Sequence, residues 1–330
     1  MTQAPTQDSS KQLDDSGALR HLLTIDGLSG ETINTILDHA EFYLAPYDQP
    51  VVRSNALAGR TVANLFFEPS TRTRASFELA AKRLGADVLN LDVSTSSRIK
   101  GESILDTIYT LEAMQADVFV VRDAEAGVPA MIASHVRPGV SILNAGESSV
   151  SHPTQALLDV LTMRRALGPI DDLTVCIVGD IAHSRVARST AAALRALGVR
   201  ALRLVAPPGM QPDPERFPGA TLFDELAPGV ADADIVMALR IQHERIRNKS
   251  ELPGPDAYIR GFQLNHESLR GASDRLRVMH PGPMNRGVEI DSALADDTCS
   301  LITEQVRNGV AVRMALLDMV TTTSRKHQDS

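Results

Sequence analysis

Short apolar runs rich in β-branched residues alternate with longer stretches of helical periodicity along most of this chain. The first half carries such runs at Thr61–Phe67, Val88–Asp92, Val118–Arg122 and Val140–Asn144. The second half carries them at Leu173–Gly179, Ala201–Val205, Asp234–Leu239 and Arg277–His280. Between them lie helix-like segments, among them Arg74–Leu84, Ser103–Met114, Thr154–Leu167 and Arg185–Leu197. Continuous apolar strands separated by helices predict parallel sheets with crossover helices. The expected fold class is therefore α/β, with two similar-sized domains, each a mainly parallel sheet flanked by helices. Eight strands divide four and four between them.

The boundary is placed at Gly168-Pro169, after a helix that runs out of the first domain. Domain one is expected over 21–167 and domain two over 168–304. A last helix from about Gln305 to Met319 puts Val306, Val310, Met314 and Leu317 on one face. It is expected to pack back on the first domain and complete it over 305–320. The first 20 residues are polar, have no apolar core and read as a disordered tail rather than a secretory signal.

A length of 330 residues exceeds what one hydrophobic core usually serves. Hydrophobic content of 43% and charged content of 22% are ordinary for a globular protein. No apolar run approaches the ~20 residues of a membrane helix, so no membrane association is expected. The net charge of −8 argues against a nucleic-acid partner. Cys176 and Cys299 lie far apart, show no metal-ligand spacing and are expected as buried thiols, which suits a cytoplasmic location.

The densest chemical signal is Glu68-Pro69-Ser70-Thr71-Arg72-Thr73-Arg74, between a strand and a helix. A helix start offers amide donors and the positive end of its dipole to an anion. Hydroxyls and a bidentate guanidinium complete a phosphate cradle. A lone Ser-Thr-Arg is an ordinary cap; two Thr-Arg pairs in five residues are not. His152-Pro153-Thr154-Gln155 opens another helix. Its imidazole can donate to an oxygen that gains charge, and its amide can hold another amide. Arg122 ends a strand, where open α/β sheets place ligands. Ser96-Ser97-Arg98-Ile99-Lys100-Gly101-Glu102 reads as a polar loop carrying a flexible cation. Arg240-Ile241-Gln242-His243-Glu244-Arg245 follows a strand, and a strand-end arginine suits a carboxylate. His280-Pro281-Gly282-Pro283 is foremost a turn. Gly179 stands without a G-x-G-x-x-G pattern, so dinucleotide binding has weak support.

Taken together, these motifs resemble the aspartate and ornithine carbamoyltransferase family, in its order and near its spacing, from about Leu22 to Val320. The resemblance implies two α/β domains, a homotrimer with active sites shared between neighbouring subunits, and neither cofactor nor metal in the chemistry. It implies that Ser70, Thr71, Arg72 and Thr73 hold the phosphate of carbamoyl phosphate. Thr73, Arg122 and His152 would reach the carbamoyl oxygen, and Gln155 the carbamoyl nitrogen. The 96–102 loop resembles one that enters the neighbouring subunit's site, with Lys100 meeting phosphate and carboxylate. Ser96, among Ser94, Ser96 and Ser97, would meet phosphate. Arg-x-Gln-x-Glu-Arg resembles the loop that binds L-aspartate in the family's aspartate enzymes, through Arg240 and Gln242 with Arg185. Pro281 and Gly282 would present backbone carbonyls to substrate nitrogens. Ornithine enzymes typically have cysteine where this chain has Pro281. Glu68 would pair with Arg185 and Arg245 on closure; Arg286 has no clear counterpart. The implied reaction makes N-carbamoyl-L-aspartate, an early step toward pyrimidine nucleotides. A regulatory chain or a dihydroorotase-like partner would be compatible with the motifs.

Overall fold

In the computed structural model, residues 11–91, 103–242 and 252–328 are described. Packing divides the chain into two units, Met1–Thr154 with Asn308–Ser330, and Gln155–Arg307.

The first unit begins with α1 (Gly30–Glu41), followed by β1 (Thr61–Phe66), α2 (Thr71–Arg83), β2 (Asp87–Leu91) and α3 (Ile104–Ala113). Next come β3 (Val118–Asp123), α4 (Val128–Ala133), β4 (Ser141–Glu147) and the start of α5 (Pro153–Leu167). The four strands are parallel and lie in the order β2-β1-β3-β4. β3 and β4 are buried throughout, whereas the edge strand β2 is mostly exposed. Ala63, Leu65, Phe119, Val121 and Ile142 form one core cluster with Ile108 of α3 and Ile132 of α4. Helices on both faces bury both sides of the central strands, so these read as continuous apolar runs.

Most of α5 belongs to the second unit, which continues with β5 (Thr174–Val178), α6 (Arg185–Ala196), β6 (Ala201–Val205), β7 (Ala220–Phe223) and α7 (Leu226–Val230). Then follow β8 (Ile235–Ala238), α8 (Pro255–Phe262), β9 (Arg277–Met279), α9 (Ser292–Ala295) and the start of α10 (Ile302–Gln328). These strands too are parallel, in the order β7-β6-β5-β8-β9. The sheet therefore has five strands, not the four expected. The extra one, β7, is a four-residue edge strand with exposed Thr221 and Leu222, too short and too solvated to leave an apolar run.

Three further expectations change. Residues 11–20 are not a disordered tail; residues 1–10 lie outside the described part. Gln12 is buried and its Oε1 accepts from the amides of Leu23 and Thr24 at 2.8 and 2.9 Å. Leu22 bridges Leu143 of β4, and His21 Nδ1 accepts from Ile142 N at 3.0 Å. Burial lowers the His21 pKa to about 3, so this acceptor stays neutral. Second, α10 runs to Gln328, well past Met319, and Val306 on its supposed apolar face is exposed. Its buried apolar side chains among the described residues are Ala311, Val312, Met314, Ala315, Leu316, Leu317 and Val320. From Asn308 onward the helix packs in the first unit, where Ser324 Oγ lies 3.1 Å from Ser141 Oγ of β4. Third, Cys176 is buried but Cys299 is partly exposed.

Both sheets reverse their winding at one point, between β1 and β3 in the first and between β5 and β8 in the second. The connections on either side of such a point diverge and leave a crevice at the carboxyl ends of the strands. Gly179, just past β5, takes φ +123°, and a Cβ there would lie 2.6 Å from the Leu239 carbonyl oxygen. Gly179→Ala should therefore cost about 2–3 kcal/mol of unfolding free energy, measurable by urea denaturation.

Candidate functional site

The carboxyl edge of the first sheet gathers most of the residues singled out for phosphate and carbonyl recognition. β1 runs directly into Glu68 and the Ser70–Arg74 motif, whose Thr71, Arg72 and Thr73 form the first turn of α2. The helix thus starts three residues earlier than the apolar pattern alone predicts. Ser70 is the N-cap residue, yet its hydroxyl does not cap the helix. It donates to Thr73 Oγ1 at 3.0 Å instead. First-turn amides have no intrahelical acceptor, so an uncapped start keeps its donors for an anion. Arg72 is exposed beside it and Thr73 is buried.

Arg122 sits near the end of β3, on the strand next to β1, and is buried. Its Nη1 donates to the Ala145 carbonyl at 3.1 Å, and its Nη2 lies 3.4 Å from Glu68 Oε1. Glu68 therefore has a partner within its own unit. The β1–β3 ladder ends at Phe66 opposite Arg122, and Phe67 N donates to Arg122 O at 2.9 Å. This backbone register places the segment leading into the Ser70–Arg74 motif beside Arg122 at the switch point. His152 follows β4 on the same edge. A tight return, with Glu147 N donating to Ser151 O at 2.9 Å, leads the chain from the strand to α5 and leaves His152 buried one residue before the helix.

The second unit builds its own cluster at the β5/β8 switch point. Arg185 is buried at the first position of α6, whose Ser184 caps Ala187 N at 3.1 Å. Arg240 and Gln242 follow β8, with Arg240 Nη2 donating to Gln242 Oε1 at 3.4 Å. Their loop is tied to the one after β5 by Asp180, which is fully buried. Asp180 Oδ2 accepts from Gln242 N at 3.0 Å, and Oδ1 lies 2.7 Å from His183 Nδ1. Neither Asp180 nor His183 was assigned a part by sequence reasoning. An aspartate after a strand is a common turn residue, and only the fold shows which backbone it anchors.

Pro281 and Gly282 follow β9 in a turn fixed by hydrogen bonds. His280 N donates to Gln305 Oε1 at 2.9 Å, and Gly282 N donates to His280 Nδ1 at 2.8 Å. A backbone amide can only donate, so Nδ1 is the acceptor and the ring proton sits on Nε2. From there it reaches Glu289 Oε1 at 3.1 Å, both groups being buried. Arg286 does not join this cluster. It makes an exposed bidentate pair with Asp296, at 2.7 Å on each arm. Gln155, in the first turn of α5, donates through Nε2 to Asp159 Oδ1 at 2.9 Å. Ser94, Ser96, Ser97 and Lys100, and also Arg245, lie outside the described residues.

Residues 20–165 match the family model described as aspartate/ornithine carbamoyltransferase, carbamoyl-P binding domain. Residues 171–320 match the companion Asp/Orn binding domain. Those two matches meet at the far end of α5, whereas packing assigns most of that helix to the second unit. Among solved structures, the chain is similar to aspartate transcarbamoylase from Trypanosoma cruzi in complex with carbamoyl aspartate and phosphate. The two are 29% identical over 97% of this chain and 99% of that one, with TM-score 0.79. The same T. cruzi enzyme in complex with N-(phosphonacetyl)-L-aspartic acid is 28% identical, covers 93% and 98%, and gives TM-score 0.81. Ornithine carbamoyltransferase from Thermus thermophilus shares the fold, at 24% identity over 92% and 99% with TM-score 0.78.

Proposed function

This chain belongs to the aspartate/ornithine carbamoyltransferase family, and from that premise we propose that its second substrate is L-aspartate. The reaction joins carbamoyl phosphate to the aspartate amino group and yields N-carbamoyl-L-aspartate and phosphate, an early step toward pyrimidine nucleotides. The observation that carries this reading is the Arg240–Gln242 loop, held at the β5/β8 switch point by buried Asp180. A cation at that point suits a side-chain carboxylate and repels the ammonium of ornithine. The likeness to an aspartate transcarbamoylase solved with carbamoyl aspartate and phosphate supports the same choice.

Carbamoyl phosphate is read onto the first sheet's edge. Ser70, Thr71, Arg72 and Thr73 take the phosphate at the start of α2. Arg122, Thr73 and His152 take the carbonyl oxygen, which becomes anionic as the amine attacks. Preorganised donors at such an oxygen are worth most where water is excluded, and Arg122, Thr73 and His152 are all buried. The amine nitrogen forms a bond to the carbamoyl carbon, the carbon–oxygen bond to phosphate breaks, and the leaving phosphate takes the amine's proton. Positioning and charge carry most of the rate. Arg185 joins Arg240 and Gln242 on aspartate, and Pro281 and Gly282 offer carbonyls to the substrate nitrogens. Lys100 and Ser96 are read as a neighbouring subunit's contribution within a homotrimer. Glu68 and Arg245 serve domain closure.

His152→Ala tests the assignment of the oxyanion. A fall in kcat of roughly 10²–10³ is expected, with a smaller loss in carbamoyl phosphate affinity by calorimetry. An unchanged kcat would leave His152 as a helix-start residue. Assaying transfer to L-aspartate against L-ornithine tests the substrate choice directly.

A further inference from the structure

Asp159 lies one turn along α5 from Gln155 and is fully buried. Nothing in the proposed reaction uses it, yet three side chains converge on it. Its Oδ1 accepts from Gln155 Nε2 at 2.9 Å and from Gln305 Nε2 at 2.8 Å. Its Oδ2 accepts from Thr190 Oγ1 of α6 at 3.1 Å. We propose that Asp159 is a positioning residue: it fixes the hydrogen-bonding sense of the Gln155 amide, and so makes the site select an NH₂ group on the transferred acyl carbon.

Asp159 Oδ1 accepts from both glutamines, each of which turns its NH₂ toward it and its carbonyl oxygen away. Gln305 shows the same sense from its other end. Its Oε1 accepts from His280 N at 2.9 Å, and a backbone amide can only donate. An amide flip at Gln305 would put NH₂ against N–H on one side and oxygen against carboxylate on the other. The orientation is thus determined twice, and Asp159 must be the acceptor for Gln305. The same carboxylate oxygen then orders Gln155, whose Oε1 has no hydrogen-bond partner among the described residues. That oxygen is an acceptor aimed away from Asp159. It suits a carbamoyl NH₂ and gives nothing to a methyl group of the same size. Through Gln305 the same carboxylate also steadies the amide that precedes Pro281 and Gly282.

The inference rests on the reading of Gln155 as the carbamoyl-nitrogen contact, and the experiment separates the two. The dissociation constant of carbamoyl phosphate is measured by calorimetry on the whole protein. The competitive inhibition constant of acetyl phosphate, its methyl analogue, is measured alongside. Gln155→Ala should shrink the ratio of these constants by about tenfold, the worth of one hydrogen bond. Asp159→Ala should shrink it about as much. Asp159→Asn should restore most of the ratio, because the asparagine Oδ1 still accepts from both glutamines while its Nδ2 donates to Thr190. Asp159→Ser, which cannot reach the glutamines, replaces the alanine variant if that one does not fold. Equal weakening of both ligands in Asp159→Ala would mark a merely structural role and overturn the inference. So would an intact ratio in Asp159→Ala beside a collapsed one in Gln155→Ala. An intact ratio in Gln155→Ala would take down the underlying reading and the inference with it.

Discussion

Mixtures of Arg72→Ala and Lys100→Ala chains are expected to regain about a quarter of wild-type activity, although each variant alone is nearly inactive. Arg72 stands exposed in the first turn of α2, beside the uncapped Ser70 and the buried Thr73. It is proposed to serve the phosphate cradle of its own chain. Lys100, outside the described residues, is read as a cation supplied to the cradle of a neighbouring chain. In a pure Arg72→Ala trimer every cradle is damaged; in a pure Lys100→Ala trimer every cradle lacks its visiting cation. A mixed ring of three chains has one junction where an intact cradle meets an intact lysine. Random equal mixing makes about three quarters of the trimers mixed, each with one native site in three, which leaves about a quarter of full activity. Light scattering with a tagged chain checks both the trimer and the exchange. If exchange is proven and the mixture stays as inactive as its parents, the shared site is wrong.

The second large effect is expected from Arg240→Ala, in the KM for aspartate. Removing one partner of a desolvated charge pair costs about 2–5 kcal/mol. Arg240 is part-exposed, so water screens some of that loss. The lower end of the range applies, a rise of about thirty- to a hundredfold in KM. Carbamoyl phosphate affinity by calorimetry should stay near wild type, since the cradle proposed for it lies at the edge of the other sheet. A collapse of that affinity with normal aspartate kinetics would exclude the assignment. Arg240→Lys separates charge from shape. A single ammonium keeps the charge but loses the planar fork, so recovery should be partial.

These expectations rest on features of unequal visibility. The α/β architecture was legible because its signals are local. Apolar strand runs such as Val118–Arg122 and Leu173–Gly179 are buried on both faces, and helices with their own capping residues separate them. Ser103 and Asp106 form a full capping box at α3, which the sequence spells out within four residues. The Ser70–Arg74 motif was legible for the same reason, since hydroxyls and arginines at a strand-to-helix turn are neighbours in the chain. Edge strand β7 was not, because half its side chains face solvent and it exists only by pairing with β6. Val306 was misread because helical periodicity reports a face and not what covers it.

By itself, then, the sequence determined two parallel α/β sheets, the Ser70–Arg74 motif at the start of α2, and strand-end arginines at 122 and 240. These depend on residues close in the chain, whose backbone preferences and side-chain chemistry act before any distant contact forms. Only the tertiary structure decided which polar groups hold those residues in place. Gln12 docks onto Leu23 and Thr24, Asp180 reaches the amide of Gln242, and Asp159 gathers Gln155, Thr190 and Gln305. A buried carboxylate must find donors wherever the fold brings them. Its partners are set by the packing of helices far apart in sequence, and no spacing along the chain encodes them.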